Sequence, residues 1–132
     1  MYIETYPVSA DPVVTFSPTA CLSYAEIMLR ARQLAEVMQQ QNLHERFVML
    51  FSDPRENLIA TYAALISQRI GIQHAPLRSL AEGTRLEALM QNAGIEAVLS
   101  ASEGLQALST HAQSVCRNRR ILTASPLGVS RS

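Results

Sequence analysis

Short apolar runs alternate with stretches of helical spacing, and this alternation limits the fold more than any other feature of the chain. Residues 47–51 (FVMLF) are five consecutive apolar residues, as is typical of a strand covered on both faces. Helical spacing of apolar residues occurs on both sides of this run. Strands separated by helices pair in parallel through right-handed crossovers. The pattern therefore predicts an α/β fold, a three-layer domain with a four-stranded, mainly parallel sheet.

Capping residues predict where the helices begin. Ser23 and Glu26 form a capping-box pattern, which satisfies free amide groups at a helix start. Asp53 is suited to cap the second helix, with Pro54 at its first position. Ser102 is expected to cap the fourth helix.

Glycine is expected to end two of the helices. Gly71 and Gly94 follow the second and third helical stretches, and glycine adopts the left-handed conformation of a helix end at little cost. Short strands are predicted at 72–75, 97–99 and 121–123.

Three segments divide the chain. Residues 1–21 contain three prolines and are expected to form an extended N-terminal arm, because proline excludes helix and disfavours central strands. Residues 22–125 are predicted to form the α/β subdomain. Residues 126–132 are predicted to be a flexible tail.

Composition excludes several classes of protein. The chain is 48% hydrophobic and 17% charged, as suits a globular core. Eleven basic and eleven acidic residues cancel, so net charge does not recruit nucleic acid. The apolar runs are too short to cross a bilayer, and the N-terminus lacks a secretory apolar stretch. A cytoplasmic protein with no nucleic-acid or membrane partner is expected.

All basic residues are arginine, and the chain contains no lysine. This excludes a Walker-type phosphate lysine, a Schiff-base lysine and the lysine of a response-regulator receiver.

Cysteine and histidine spacing predicts no metal site. The two cysteines and three histidines are scattered, without a C-x-x-C pair or a recognisable Cys–His dyad. We predict no catalytic, cofactor-binding or metal-ligating residue. The two cysteines are Cys21 and Cys116, and the three histidines are His44, His74 and His111.

Two strand-end residues and one cluster also allow functional interpretations. Asp53 has the position of a phosphoacceptor, but the chain lacks that site's acidic pair and lysine, so a helix cap is favoured. His74 follows a strand at the edge where parallel sheets bind ligands. It has no polar partner close in sequence, so a partly exposed strand-end histidine is favoured. Arg117, Arg119 and Arg120 are interpreted as a solvated helix end.

Four segments in the same order resemble motifs of one enzyme family. Residues 22–27 (LSYAEI) are similar to L-[ST]-Y-x-E-L, and residues 30–35 (RARQLA) to the R-A-x-x-L-A helix that follows it. Residues 64–77 are similar to a core motif L-K-A-G-A-x-Y-V-P-L. Residues 85–99 are similar to R-L-x-x-I-L-x-x-S-G-A-x-x-V-L. This order resembles the N-terminal part of the AMP-forming adenylating superfamily: acyl-CoA synthetases, fatty acyl-AMP ligases and peptide-synthetase adenylation domains.

The resemblance implies a chemistry that this chain does not carry alone. Family members convert a carboxylate and ATP to an acyl-adenylate and then transfer the acyl group to a thiol or related acceptor. They use a Ser/Thr/Gly-rich loop ending in lysine, an acid that holds ribose and a C-terminal lysine, and nothing after Ser100 matches these motifs. Arg69, Ile70 and His74 also depart from the core motif. We expect the isolated chain to be inactive and to bind no cofactor, with ATP and Mg²⁺ used only when a missing part completes it.

Two functions from different classes stay open. The chain is either an N-terminal fragment or split half of an adenylate-forming ligase, with the remainder of the enzyme as its partner, or a stand-alone binding or docking module. The second would serve an acyl or peptide assembly system, through a biosynthetic assembly protein or self-association. An unrelated flavodoxin-like binding domain is less favoured, because Gly71, Pro76 and Gly94 agree with the family motifs.

Overall fold

The computed structural model describes residues 13–17, 20–77 and 79–127. Two short strands come first, and helices and strands alternate after them. In chain order the elements are β1 (Val13–Ser17), β2 (Ala20–Ser23), α1 (Tyr24–Gln40), β3 (Arg46–Leu50), α2 (Pro54–Ile66), β4 (Ile70–Gln73), α3 (Glu82–Ala93), β5 (Ala97–Ser100), a 3-10 turn (Leu105–Ala107), α4 (Thr110–Arg117) and β6 (Arg120–Thr123).

The main sheet has four parallel strands in the order β4-β3-β5-β6. The chain leaves β3 for β4 on one side, then crosses back to β5 and β6 on the other. Helices α1 and α2 cover one face, and α3 and α4 cover the other. The predicted three-layer α/β class and the four-stranded sheet are confirmed.

The apolar run in β3 supplies both halves of the core. Phe47 and Met49 pack with the α1 and α2 side chains, while Val48 and Leu50 pack with those of α3 and α4. This division follows from the alternation of strand side chains between the two faces. β5 is buried in the same way along its whole length. Both central strands are therefore covered on two faces, as the apolar run predicted.

Three predicted helix boundaries are confirmed. The Oγ of Ser23 accepts a hydrogen bond from the Glu26 N–H at 3.1 Å, at the start of α1. Asp53 caps α2, and Pro54 is its first residue. Gly94 ends α3 with φ at 66°.

The predicted end of the second helix was wrong. Helix α2 ends at Ile66, and Gln68 takes the left-handed conformation with φ at 60°. Gly71 lies inside β4, where a Cβ would be 2.8 Å from Met49 Sδ. Glycine is needed there for close packing against β3, and the turn falls earlier than the pattern predicted.

The predicted start of the fourth helix was also wrong. Ser109 caps α4 by accepting a hydrogen bond from the Ala112 N–H at 3.3 Å. Ser102 instead precedes the separate 3-10 turn. Leu105 and Leu108 therefore lie ahead of the helix that the sequence pattern assigned to them.

The chain ends are described only in part. Within the predicted arm, β1 and β2 pair as an antiparallel hairpin, and residues 1–12 lie outside the described residues. Leu127 packs against the α1 and α2 core, and residues 128–132 of the predicted tail also lie outside. None of the described helices has the length and apolar character needed to cross a membrane.

Candidate functional site

The carboxyl ends of the parallel strands meet at one edge, where open α/β sheets bind ligands at the point at which strand order reverses. That point lies here between β3 and β5. The loop that follows β5 packs directly on both strand ends. A Cβ added to Gly104 would lie 2.4 Å from Ser100 Oγ and 2.6 Å from the Leu50 carbonyl oxygen. The protein's own backbone therefore fills the position of a ligand crevice.

Carboxylates lie beside this position, on the loops and on the first turn of α2. Asp53 forms an ion pair with Arg55, at 2.7 Å between Oδ2 and Nη2. The side-chain hydrogen bond from Arg55 lowers the pKa of Asp53. Burial raises the pKa of Glu56, and the nearby carboxylates of Asp53 and Glu103 raise it further. Asp53 acts as a helix cap, as the sequence indicated, and the arginine next to it is engaged by that same aspartate.

Asn57 joins the end of β3 to α2. Its Nδ2 donates to the Phe51 carbonyl oxygen at 2.8 Å, while its buried Oδ1 has no hydrogen-bond partner among the described residues. The residue lines an open cavity of about 300 Å³ between α2 and the end of β4. The cavity is lined by Pro54, Asn57, Leu58, Thr61 and Gln73.

A fully buried carboxylate, Glu82, connects three segments near the end of β4. It accepts hydrogen bonds from the Leu77 N–H at 2.7 Å and the Ser109 N–H at 2.6 Å, and from His74 Nε2 at 3.1 Å. Burial raises the pKa of Glu82, but the hydrogen bonds from Leu77, Ser109 and His74 outweigh it and lower the pKa to about 2. Glu82 is thus charged and acts only as an acceptor, so the His74 Nε2 is the donor in this hydrogen bond.

The Glu82 cluster (His74, Leu77, Glu82 and Ser109) has a positioning role. It ties the loop after β4 to the start of α3 and to the cap of α4. Glu82 has no exposed surface and so cannot reach a ligand. His74 is partly exposed, as the sequence indicated, but it does have a polar partner. Sequence reasoning missed Glu82, because it resembles an ordinary acidic residue in the first turn of a helix.

Arginines lie at the opposite, amino edge of the sheet. Arg119 Nη1 donates to the Val115 carbonyl oxygen in α4 at 3.0 Å. Arg120 donates to the Asn42 carbonyl oxygen at 2.8 Å and also to that of Gln41, just after α1. Two members of the sequence-predicted cluster therefore neutralise helix ends, where the helix dipole is negative.

The described histidines, cysteines and carboxylates form no group of three or more that could hold a metal ion. Both cysteines are free. Cys21 is exposed and Cys116 is buried. Burial raises the pKa of Cys116 to about 11.

Comparison with solved structures finds this fold inside longer enzymes. Coronafacic acid ligase from Pectobacterium brasiliense matches 86% of the chain with a TM-score of 0.66 at 15% identity. A fatty acyl-adenylate ligase from L. pneumophila, bound to acyl adenylate and pyrophosphate, matches 82% with a TM-score of 0.62 at 13% identity. ATP-bound MatB from Rhodopseudomonas palustris matches 83% with a TM-score of 0.59 at 19% identity.

The chain corresponds to only a part of each of these enzymes. It spans 22%, 19% and 21% of their respective lengths. No protein-family model matches the chain, and a comparison with curated protein sequences gives no match either. The chain therefore has the fold of a segment of AMP-forming ligases, in agreement with the resemblance seen in its sequence.

Proposed function

We propose that the chain is the N-terminal part of an adenylate-forming ligase, which activates a carboxylate as acyl-AMP once the rest of the enzyme completes it. The match of 82–86% of the chain to about a fifth of three such ligases carries this proposal. The order of the four sequence motifs supports it independently. We place the assembled enzyme in the cytoplasm, in keeping with the neutral composition.

The isolated chain is proposed to be inactive. It has no lysine to bind phosphate. At the sheet's carboxyl edge Glu56 and Glu103 add negative charge, and Arg55 is already paired with Asp53. The loop at Gly104 fills the crevice at the same edge. ATP and Mg²⁺ would therefore be bound by the completing part of the enzyme.

Carboxylate-dependent ATP–pyrophosphate exchange tests this function. The purified chain alone is expected to show only background exchange with a panel of carboxylic acids. Addition of the completing polypeptide, identified in the same or a neighbouring reading frame by its glycine-rich loop and lysine, is expected to produce exchange above that of either part. Exchange by the chain alone would overturn its dependence on a partner. A folded complex that never shows exchange with any acid would overturn the ligase role.

The alternative is a non-catalytic docking module in an acyl or peptide assembly system. Exposed apolar side chains concentrated at residues 65–80 are compatible with this role as well as with the ligase, because such surfaces mark interaction sites. A partner that lacks adenylating motifs, bound by this chain with micromolar or better affinity, would support this alternative. Titration calorimetry with the purified pair measures that affinity.

A further inference from the structure

Strand β4 is an edge of the sheet among the described residues, and its outer side is open. The N–H of Ile70 donates to the Glu45 carbonyl oxygen at 2.7 Å, and that of His74 to the Met49 carbonyl oxygen at 3.1 Å, both toward β3. Successive residues of a strand direct their backbone groups to opposite sides. The backbone groups of Gly71 and Gln73 therefore point away from β3, in the geometry that accepts another strand.

Exposed apolar side chains are concentrated around this edge. Of the nine large hydrophobic residues that are exposed in the described structure, five fall within residues 65–80. Ile70 and Ile72 lie on the same face of the sheet, and Ile72 packs toward α3 and α4 on that face. Helix α2 covers the other face of β4. An added strand would therefore meet apolar side chains above and below. The five are Leu65 (67% exposed), Ile66 (42%), Ile70 (52%), Leu77 (51%) and Leu80, which is fully exposed.

Helix α2 has a second apolar stripe on its outer side. Leu58, Tyr62 and Leu65 recur at the i, i+4 and i+7 positions and are half-buried or exposed. Ile59, Ala60, Ala63 and Ala64 already fill the inner side. A helix that is apolar around most of its circumference is typically buried on all sides. The cavity between Leu58, Thr61 and Gln73 runs from this stripe to the end of β4.

We propose that an apolar β-strand from the completing part of the ligase adds to β4 and extends the sheet beneath the outer stripe of α2. The docking surface consists of the β4 edge with Leu65, Ile66, Ile70, Leu77 and Leu80. This inference rests on the proposed function. The occupant follows from length, because about four-fifths of each similar ligase lies outside the part that this chain matches. A second copy offers only a four-residue strand, with Gly71 and Gln73 as its outward residues.

Site-specific crosslinking in the native host tests the surface. The full chain is expressed with a photo-crosslinking amino acid at Gln73 or, as a matched control, at Gln91, an exposed residue of α3 in the opposite layer. Position 73 is expected to crosslink to an apolar segment of a polypeptide that carries a glycine-rich loop and a lysine, and position 91 is not. Mass spectrometry identifies both the polypeptide and the linked segment.

The possible outcomes separate this inference from the proposed function. Crosslinking of an adenylating polypeptide from position 91 but not 73 would overturn the docking surface and leave the ligase function standing. A partner without adenylating motifs at position 73 would overturn the ligase function. Crosslinking of a second copy from position 73, or no crosslink from that position, would overturn the strand-addition proposal.

Substitution provides a quantitative test with the partner recovered in this way. Ile70→Asp is expected to weaken binding at least tenfold, because it puts a charge into an apolar contact. Leu29→Asp, at a residue of α1 with 50% exposure, is the matched control and is expected to change binding less than threefold. Circular dichroism and urea unfolding verify that both variants fold. Binding by the folded Ile70→Asp variant that is as tight as that of the wild-type chain would contradict the proposal.

Discussion

At the scale of the residue, Glu82 makes stability depend on pH. Its pKa is about 2 in the folded protein, against 4.5 for an ordinary glutamate. A group whose pKa is lowered on folding contributes stability above its unfolded pKa and loses it as pH falls through the folded value. The contribution is about 3 kcal/mol at neutral pH and disappears between about pH 5 and pH 2.

Glu82→Gln is expected to lower the free energy of unfolding by about 3 kcal/mol at pH 7, because one amide oxygen cannot replace a charged carboxylate that accepts three hydrogen bonds. Urea unfolding across the pH range is the measurement. The difference from wild type should shrink as pH falls from 5 to 2. Glu36→Gln on the exposed face of α1 is the control. A difference that does not vary with pH would show that Glu82 is not held charged in the fold.

The two thiols are expected to react at very different rates. Cys21 is exposed, while Cys116 is buried with its pKa raised to about 11, and the thiolate is the reactive form. Titration with a disulfide reagent at pH 8 should modify one thiol rapidly and the second only after denaturation. Cys21→Ser should abolish the rapid phase. A rapid phase that persists in this variant would contradict the burial of Cys116.

At the scale of the element, helix ends show what the sequence could predict. The helix ends at Ser23 and Gly94 could be predicted, because a capping box and a left-handed glycine depend on neighbouring residues alone. The helix end predicted at Gly71 and the helix cap predicted at Ser102 were wrong. Several nearby residues could serve these roles locally, and tertiary packing decides which one does. Gly71 serves the contact with Met49, a residue 22 positions earlier in the chain. Glu82 was missed for the same reason, since its Ser109 donor is 27 residues away.

Glycine substitutions at two left-handed positions should have different effects on stability: removing Gly94 should destabilise the fold, and introducing glycine at Gln68 should not. Gly94 and Gln68 both have positive φ, at 66° and 60°. Gly94→Ala is expected to cost about 1 kcal/mol, because a Cβ is strained in the left-handed conformation. No atom lies within 4 Å of that Cβ, so the cost is one of backbone conformation. Gln68→Gly should stabilise the fold or leave it unchanged, since it removes the same strain. Thermal unfolding measures both, and a loss of stability in both would contradict this explanation.

Several arginine side chains of this lysine-free chain donate hydrogen bonds to carbonyl groups at helix ends. The planar guanidinium of Arg120 contacts two consecutive carbonyl groups after α1, and Arg46 donates to the Ala93 carbonyl oxygen at the end of α3. Arg120→Ala is expected to cost about 1 kcal/mol in urea unfolding. Arg32→Ala, on the exposed face of α1, should cost less than about 0.5 kcal/mol. Equal effects of the two would show that the contacts at the helix end contribute nothing specific.

At the scale of the whole molecule, the two edges of the main sheet carry different side-chain contacts. Arginines bind helix ends at the amino edge, while Asp53, Glu56, Glu82 and Glu103 lie near the carboxyl edge. Parallel α/β folds normally bind ligands at the carboxyl edge. Here that edge carries several carboxylates, one of them paired with Arg55, and the chain's own loop packs onto it. The exposed apolar surface lies instead at the side of the sheet, around β4.

Amide hydrogen exchange can test directly whether the sheet is open at β4. In the isolated monomer, Ile70, Ile72 and His74 are expected to exchange slowly because their amides face β3, whereas Gly71 and Gln73 should exchange at least tenfold faster. Val98 and Leu99 are the internal control. β5 has partners on both sides, so both amides should be protected. Slow exchange at Gly71 and Gln73 in the monomer would mean that this edge is already covered, and would remove the surface on which strand addition depends.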